Sequence, residues 1–357
     1  RNLFSVSNEE FKKIKFDSLK DKNIKKILLL YQQFDYPAGL SEMELERLLF
    51  CNNYILKSDF NFLKKLDLLK KETSNEILMQ RILFEKASIY NKYASKDKYP
   101  DFNIKAVACL DSVLTLKNRS NTFKKATLKQ HQITLKELSI KIQKQSYENE
   151  NTRAFVSYKN IDKFDINFYK ITSKFDSKDL LNDSIVNNFI SKNKIYKSHE
   201  FSLKSNNDYF NYTTEVLLPK LELGSYLLKI ENFDNKKAIY RIITISNSCV
   251  LGYENKSNSV YQVLDRKTGK PIENCQVKSN DFNLITDKEG IIQFDESKTK
   301  NSNYNYRKIT IINKSDTLNL DGNYLHNLNK YENEEDEEIK AKVCIYLDRG
   351  IYRPGQT

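Results

Sequence analysis

The chain has 357 residues, 39% hydrophobic and 30% charged, with 59 Lys and Arg against 47 Asp and Glu for a net charge of +12. That length exceeds one ordinary core and calls for two or three domains, and its longest aliphatic run, Ile27 to Leu30, is far too short to span a bilayer. The lysines are spread along the whole chain and arginine is scarce, which is the bias of an AT-rich coding sequence and not the clustered footprint of a nucleic-acid binder, so no nucleic-acid partner is expected.

Glycine marks a change of architecture, since only Gly39 precedes Gly224. Residues 7 to 146 read as helices. Ser7 with Glu10, Ser41 with Glu44 and Thr73 with Glu76 have the spacing in which a hydroxyl and a carboxylate cap free amides reciprocally. Three apolar stripes follow at helical spacing: Leu45, Leu48, Leu49, Asn52 and Leu56; Met79, Ile82, Leu83, Ala87 and Tyr90; Ile104, Val107, Ala108, Asp111 and Leu114. A last stripe runs through Leu128, His131, Leu135, Leu138 and Ile142, which makes His131 a hydrogen-bonded core residue and not a metal ligand. Short helices that are apolar on one side bury those sides by pairing, so a helix-pair array of the tetratricopeptide (TPR) kind is expected, without its repeat consensus. Tyr31, Phe34 and Tyr36, beside Pro37 and Gly39, are candidate partner-surface aromatics on this region.

From Thr152 the apolar period becomes two. Ala154, Val156 and Tyr158, then Phe164, Ile166 and Phe168, predict two strands meeting at Asn160 to Asp162. Further strands are expected at Leu217 to Leu218, Ser225 to Ile230 and Ala238 to Ser246, giving one β-sandwich over 151–247. A second, over 248–330, opens with VYQVLDRKTGKPIENCQVK, where Lys267 to Gly269 turn the chain, Pro271 sits at a strand start and Val277 points inward. Asp287 to Gly290 is expected to close a hairpin, and strands at Lys308 to Asn313 and Thr317 to Leu320 complete the sandwich. The acidic run from Glu332 to Glu338 reads as a solvated linker, 331–340. No strand is expected before Asn149.

Convergent chemistry is not legible. Cys51, Cys109, Cys249, Cys275 and Cys344 show no metal or redox spacing, Cys249 with Cys275 being the one pair worth testing as a disulfide. His131, His199 and His326 fall in three separate segments, and no phosphate-binding or dinucleotide fingerprint occurs. No catalytic residue, cofactor or metal is therefore expected, and the chain is read as non-enzymatic.

The last residues, LDRGIYRPGQT, follow an alternating strand that starts at Ala341. Asp348 and Arg349, then Tyr352, Arg353, Pro354, Gly355 and Gln356, resemble the opening strand of a macroglobulin (MG) domain of the bacterial α2-macroglobulin family. TRAFVSYKNIDKFDINFYKI resembles the first sandwich after the helices in bacterial members, and the VYQVLDRKTGKPI stretch resembles exported immunoglobulin-like sandwiches, MG domains among them. The resemblance implies a multidomain α-then-β chain: a helical array at 1–148, MG-like immunoglobulin-type sandwiches at 151–247 and 248–330, and the first strand of a third MG domain at 341–357. Because the family continues past this point, the chain is expected to be a fragment. The implied role is the amino-terminal arm of an exported cell-envelope protein of the periplasm or outer membrane, held to the membrane by a lipid anchor outside this sequence, that entraps or restrains proteases. The alternative is a structural subunit of an outer-membrane assembly that binds envelope proteins and traps nothing. The family's reactive thioester arises from Cys-x-Glu-Gln, and none of the five cysteines has that context. Ser184 and Thr317, each preceded by Asp and followed by an apolar residue, resemble an O-glycosylation sequon of some Gram-negative envelopes.

Overall fold

The computed structural model describes residues 8–17, 19–33, 41–55, 57–172, 175–231, 238–255, 258–279, 282–295 and 308–320. The chain divides into two compact units, one of residues 1–136 with 205–211, the other of 137–204 with 212–357.

The first unit is helical: α1 (Asn8–Lys12), α2 (Lys22–Gln33), α3 (Ser41–Tyr54), α4 (Asp59–Glu72), α5 (Glu76–Tyr93), α6 (Phe102–Thr115) and α7 (Asn121–Thr134). Each helix packs on its successor, and α5 also touches α3 and α7. Leu45, Leu48, Leu66 and Ile82 are fully enclosed in one core spanning α1 to α5. A second core joins α5, α6 and α7 through Ala87, Ala106, Leu110 and Ala126, with Tyr209 of the 205–211 segment packed against it. The third predicted stripe is rotated. Ile104, Ala108 and Asp111 face solvent, while Phe102, Ala106, Leu110 and Val113 form the buried face of α6. The two stripes share Val107 and differ by a fraction of a turn, and only packing against α5 and α7 chooses between them. The α5 cap also shifts. Asn75, not Thr73, accepts from the amides of Ile77 and Leu78, the role an N-cap carboxamide fills as well as a hydroxyl does.

The predicted boundary near 148 lies too late. Helix α7 stops at Thr134, and β1 (Glu137–Ile142) and β2 (Gln145–Ser146) are already strands. Leu138 and Ile142 fit a helical stripe and an alternating strand alike. Pairing decides, because β1 finds an antiparallel partner in β3 (Arg153–Lys159) from Glu137 opposite Lys159 to Ile142 opposite Ala154. His131 is consequently no core residue but exposed near the end of α7, and Leu128 and Leu135 are exposed with it.

In the second unit, β4 (Lys163–Ile171), β5 (Lys197–Ser202), β6 (Tyr212–Leu217), β7 (Gly224–Glu231) and β8 (Ile239–Ile245) join the first three strands. They form a three-stranded sheet, β1-β3-β6, and a five-stranded sheet, β2-β8-β7-β4-β5. Strands β3 and β4 meet at Asn160 to Asp162, but they belong to opposite sheets, so the turn crosses the core instead of closing a hairpin. Val156, Phe164, Ile166, Phe168, Tyr226 and Leu228 fill the space between the sheets. Sequence alternation missed α8 (Asp183–Lys192), whose Val186 and Phe189 cover Tyr169 and Leu227 on the other face of the five-stranded sheet. That cover explains why Tyr226, Leu227 and Leu228 are consecutive and all buried.

A further core is built from β9 (Ser248–Asn255), β10 (Asn258–Asp265), β11 (Gln276–Lys278), β12 (Asn283–Ile285), β13 (Ile291–Asp295), β14 (Ile309–Asn313) and β15 (Asp316–Leu320). Sheet β13-β10-β9 packs on sheet β12-β11-β14-β15 around Tyr261, Val263, Val277 and Ile311. The segment Asp287 to Gly290 is not a hairpin, since β12 and β13 lie in different sheets. Its turn is held by the Asp287 carboxylate, which accepts from the amides of Glu289 and Ile291 at 3.0 and 2.8 Å. Cys249 and Cys275 are free thiols, and the Cys275 thiol donates to the Ile312 carbonyl.

The two layered β-domains are joined at Ser246–Ser248 by a buried carboxylate. Asp316 Oδ2 accepts from the Ser246 and Ser248 hydroxyls and from the amides of Asn247 and Ser248, all between 2.9 and 3.0 Å. Asp316 is 4% exposed, so each of these donors replaces water that the carboxylate has lost.

Candidate functional site

The helical unit carries an open groove of about 470 Å³, a size typical of ligand pockets. One wall is an aromatic ladder from α2 and α3. Tyr31 lies 6.0 Å from Phe50, and Phe50 lies 5.0 Å from Tyr54, which is 64% exposed. The groove is also lined by Glu85, Ser88, Ile89 and Lys92, at i, i+3, i+4 and i+7 along α5, and by Asp59 of α4.

The polar groups at Asp59 satisfy one another. Asn52, buried in α3, accepts from the Ser58 amide and donates to Asp59 Oδ1 at 2.6 Å, which pins the α3–α4 connection. The Tyr93 hydroxyl donates to Asp59 Oδ2 at 2.7 Å, and Lys92 pairs with the same oxygen. Burial alone raises the Asp59 carboxyl, but the hydrogen bonds from Lys92, Asn52 and Tyr93 outweigh it and hold the group below its ordinary range.

Glu85 is different. In sequence it sits four residues after Arg81, the spacing of a helix-surface ion pair. In the fold, Arg81 turns to α3 and pairs with Glu42 at 3.1 Å and with Glu46. Glu85 is left half-buried, with no hydrogen bond or ion pair among the described residues, and burial pushes its carboxyl up although Arg81, Lys125 and Lys129 pull it down.

No protein-family model and no curated protein matches the chain. Among solved structures, it is similar to a crystal structure of native alpha-2-macroglobulin from Escherichia coli spanning domains MG0-NIE-MG1, at 15% identity over 52% of this chain and 64% of that one, with a TM-score of 0.38. A second crystal structure of the same E. coli protein, spanning NIE-MG1, gives 15% identity over 52% and 97% with a TM-score of 0.39. A cryo-EM reconstruction of its native conformation gives 14% identity over 52% and 13% with a TM-score of 0.34. The chain therefore spans under two thirds of the MG0-NIE-MG1 fragment.

Of the partner-surface aromatics read from sequence, Tyr31 lines the groove and packs on the helical core, while Phe34 and Tyr36 lie outside the described residues. Asp348, Arg349, Tyr352, Arg353, Pro354, Gly355 and Gln356 lie outside them too, as do Cys344, His326 and the acidic run. Ser184 is exposed in the first turn of α8, its amide donating to the Asn182 side chain. Thr317 is half-buried in β15 opposite Ile312, directly after the enclosed Asp316. His199 is exposed on the edge strand β5, edge-on to Phe201. No group of three or more potential metal ligands occurs among the described residues, and no helix there is long and apolar enough to cross a membrane. Asp59 and Glu85 escaped sequence reasoning because both fit a local surface role, one as a first-turn carboxylate and the other as an i,i+4 partner of Arg81.

Proposed function

We propose that this chain is the non-catalytic amino-terminal arm of an α2-macroglobulin-like envelope protein, with the helical unit as its docking surface and the β-domains as its spacer. The observation that carries this reading is the Asp316 clasp. Four hydrogen bonds to one buried carboxylate tie the link between the two β-domains to β15, the construction of a stiff spacer and not of a hinge. The terminal LDRGIYRPGQT motif supports the family reading. Successive packing of α2 to α7 supports a TPR-like array, and two sheets around one core in each β-domain support immunoglobulin-like MG modules.

On this reading the protein is exported, lies at the periplasmic or outer-membrane surface through a lipid anchor outside this sequence, and contributes to restraint of proteases through parts beyond Thr357. A scaffold role in an outer-membrane assembly uses the same docking surface without protease capture, and a Cys-x-Glu-Gln after Thr357 separates the two.

Photo-crosslinking amino acids placed in native cells at Leu68, Leu128 and Tyr54 of the helical unit, and at Leu181 and Ile285 of the β-domains, test the docking surface; all five are exposed. Crosslinks to an envelope protein from helical positions are expected. Crosslinks confined to Leu181 and Ile285 overturn the reading.

A further inference from the structure

Glu85 presents a physical puzzle. A half-buried carboxyl without a bonding partner costs stability, and an isosteric Gln would lie in the same place without the charge. Lys92, the cation that lines the groove, is already engaged by Asp59, and Arg81 by Glu42 and Glu46. Of the carboxylates that line the groove, Glu46 is paired with Arg81 and Asp59 with Lys92, which leaves Glu85 without a bonded partner among the described residues, Lys125 and Lys129 acting on it only through space. The Tyr31–Phe50–Tyr54 ladder lines the same groove, and aromatic faces attract both apolar groups and cations.

We propose that this groove binds a lysine or arginine side chain of a partner polypeptide, with Glu85 taking the cation and the aromatic ladder taking an adjacent apolar residue. The ladder is what points to a polypeptide over a free amine. Tyr54, the exposed end of the ladder, continues it into solvent, so full occupancy needs apolar groups as well as a charge, as a peptide supplies and a polyamine does not. The inference deepens the docking role proposed above and rests on it.

The test uses the 357-residue chain and acetylated, amidated pentapeptides with central Arg, Lys, Gln or Glu flanked by every pair of apolar residues, measured by calorimetry after an array screen. Central Arg or Lys peptides are expected to bind about tenfold or more tightly than their Gln counterparts, the scale of one charge-assisted pair. Glu85→Gln should remove that difference and leave the Gln peptides unchanged. Its thermal midpoint should equal or exceed the parent's, which also shows that the variant is folded. Tyr54→Ala should weaken every peptide, charged or not. Equal binding of Arg and Gln peptides, absence of binding throughout the Arg and Lys sets, or full affinity in Glu85→Gln overturns the proposal. Spermidine binding as tightly as the best peptide, with loss in Glu85→Gln, overturns the polypeptide occupant. In cells, crosslinks at Leu68 or Leu128 that persist while a crosslinker at Asn53, exposed in the groove next to Tyr54 in sequence, gives none sink this inference and leave the docking reading standing.

Discussion

Replacing Asp316 by alanine removes the acceptor for four donors at once. The Ser246 and Ser248 hydroxyls can rotate to other partners, and the Ser248 amide retains the Ser246 hydroxyl at 3.1 Å. The Asn247 amide loses its bond to the carboxylate at 2.9 Å. Losing a charge-assisted bond of about 1.5–3 kcal/mol and stranding a partly enclosed donor at about 1–3 kcal/mol gives a cost of about 3–4 kcal/mol once the relief of a desolvated charge is counted. Asp316→Asn separates charge from geometry. Its carboxamide oxygen can hold the Oδ2 position, and its NH2 then occupies that of Oδ1, which has no hydrogen-bond partner among the described residues. The asparagine variant should lose only about 1–1.5 kcal/mol. The chain contains no Trp and 22 Tyr, so urea unfolding is followed by far-ultraviolet circular dichroism and tyrosine emission. At a slope of about 1.5–2 kcal/mol/M, the β transition of the alanine variant moves down by about 2 M while the helical transition stays. Proteolysis at 246–248 should accelerate in step. An unchanged β transition in Asp316→Ala, or equal loss in the alanine and asparagine variants, refutes the reasoning.

Gly290 and Gly269 have nearly the same backbone, φ of +69° and +68°, but a Cβ at Gly290 would lie 2.5 Å from the Val263 carbonyl oxygen and one at Gly269 meets nothing within 4 Å. Gly269→Ala should therefore cost only the left-handed penalty of about 1 kcal/mol, and Gly290→Ala at least about 2 kcal/mol more, by chemical denaturation; equal costs would contradict the close approach. Asp59 is held below its unfolded range, so its contribution to the helical unit is present above about pH 4 and is lost as pH falls through the folded value. Asp59→Asn should lower stability at pH 7 and flatten the acid limb; an unchanged limb counts against the network. Val156→Asp and Val263→Asp, both at 0% exposure in separate cores, should each unfold the β-domain concerned at a cost of several kcal/mol. Retention of both native circular-dichroism transitions in either variant would place the side chain outside a core.

The change from helices to strands was legible because it is a change of period, and a period is local: Leu45, Leu48 and Ile82 at helical spacing and Val156, Phe164 and Phe168 at alternate positions are all buried as read. Where two periods fit the same residues, sequence could not choose. Leu138 and Ile142 satisfy a helix and a strand equally, and β3, which begins eleven residues beyond Ile142, decides by pairing. Helix α8 was missed for a related reason, since ten residues carry too few turns to stand out, and the apolar face of the five-stranded sheet that it covers exists only after β4 and β7 pair. Turns at Asn160 and Asp287 were recognisable from their residue types, but which sheet each flanking strand joins depends on partners far along the chain. Tertiary structure alone placed the two carboxylates that matter most. Sequence offers Asp316 only as the Asp before Thr317, between two expected strands, and Glu85 as the partner of Arg81, whereas the fold encloses the first among the donors of a distant link and draws the arginine away from the second. Charge and hydrogen-bond partners are set by distance in space, and a helical or extended period carries no information about which distant donor will arrive.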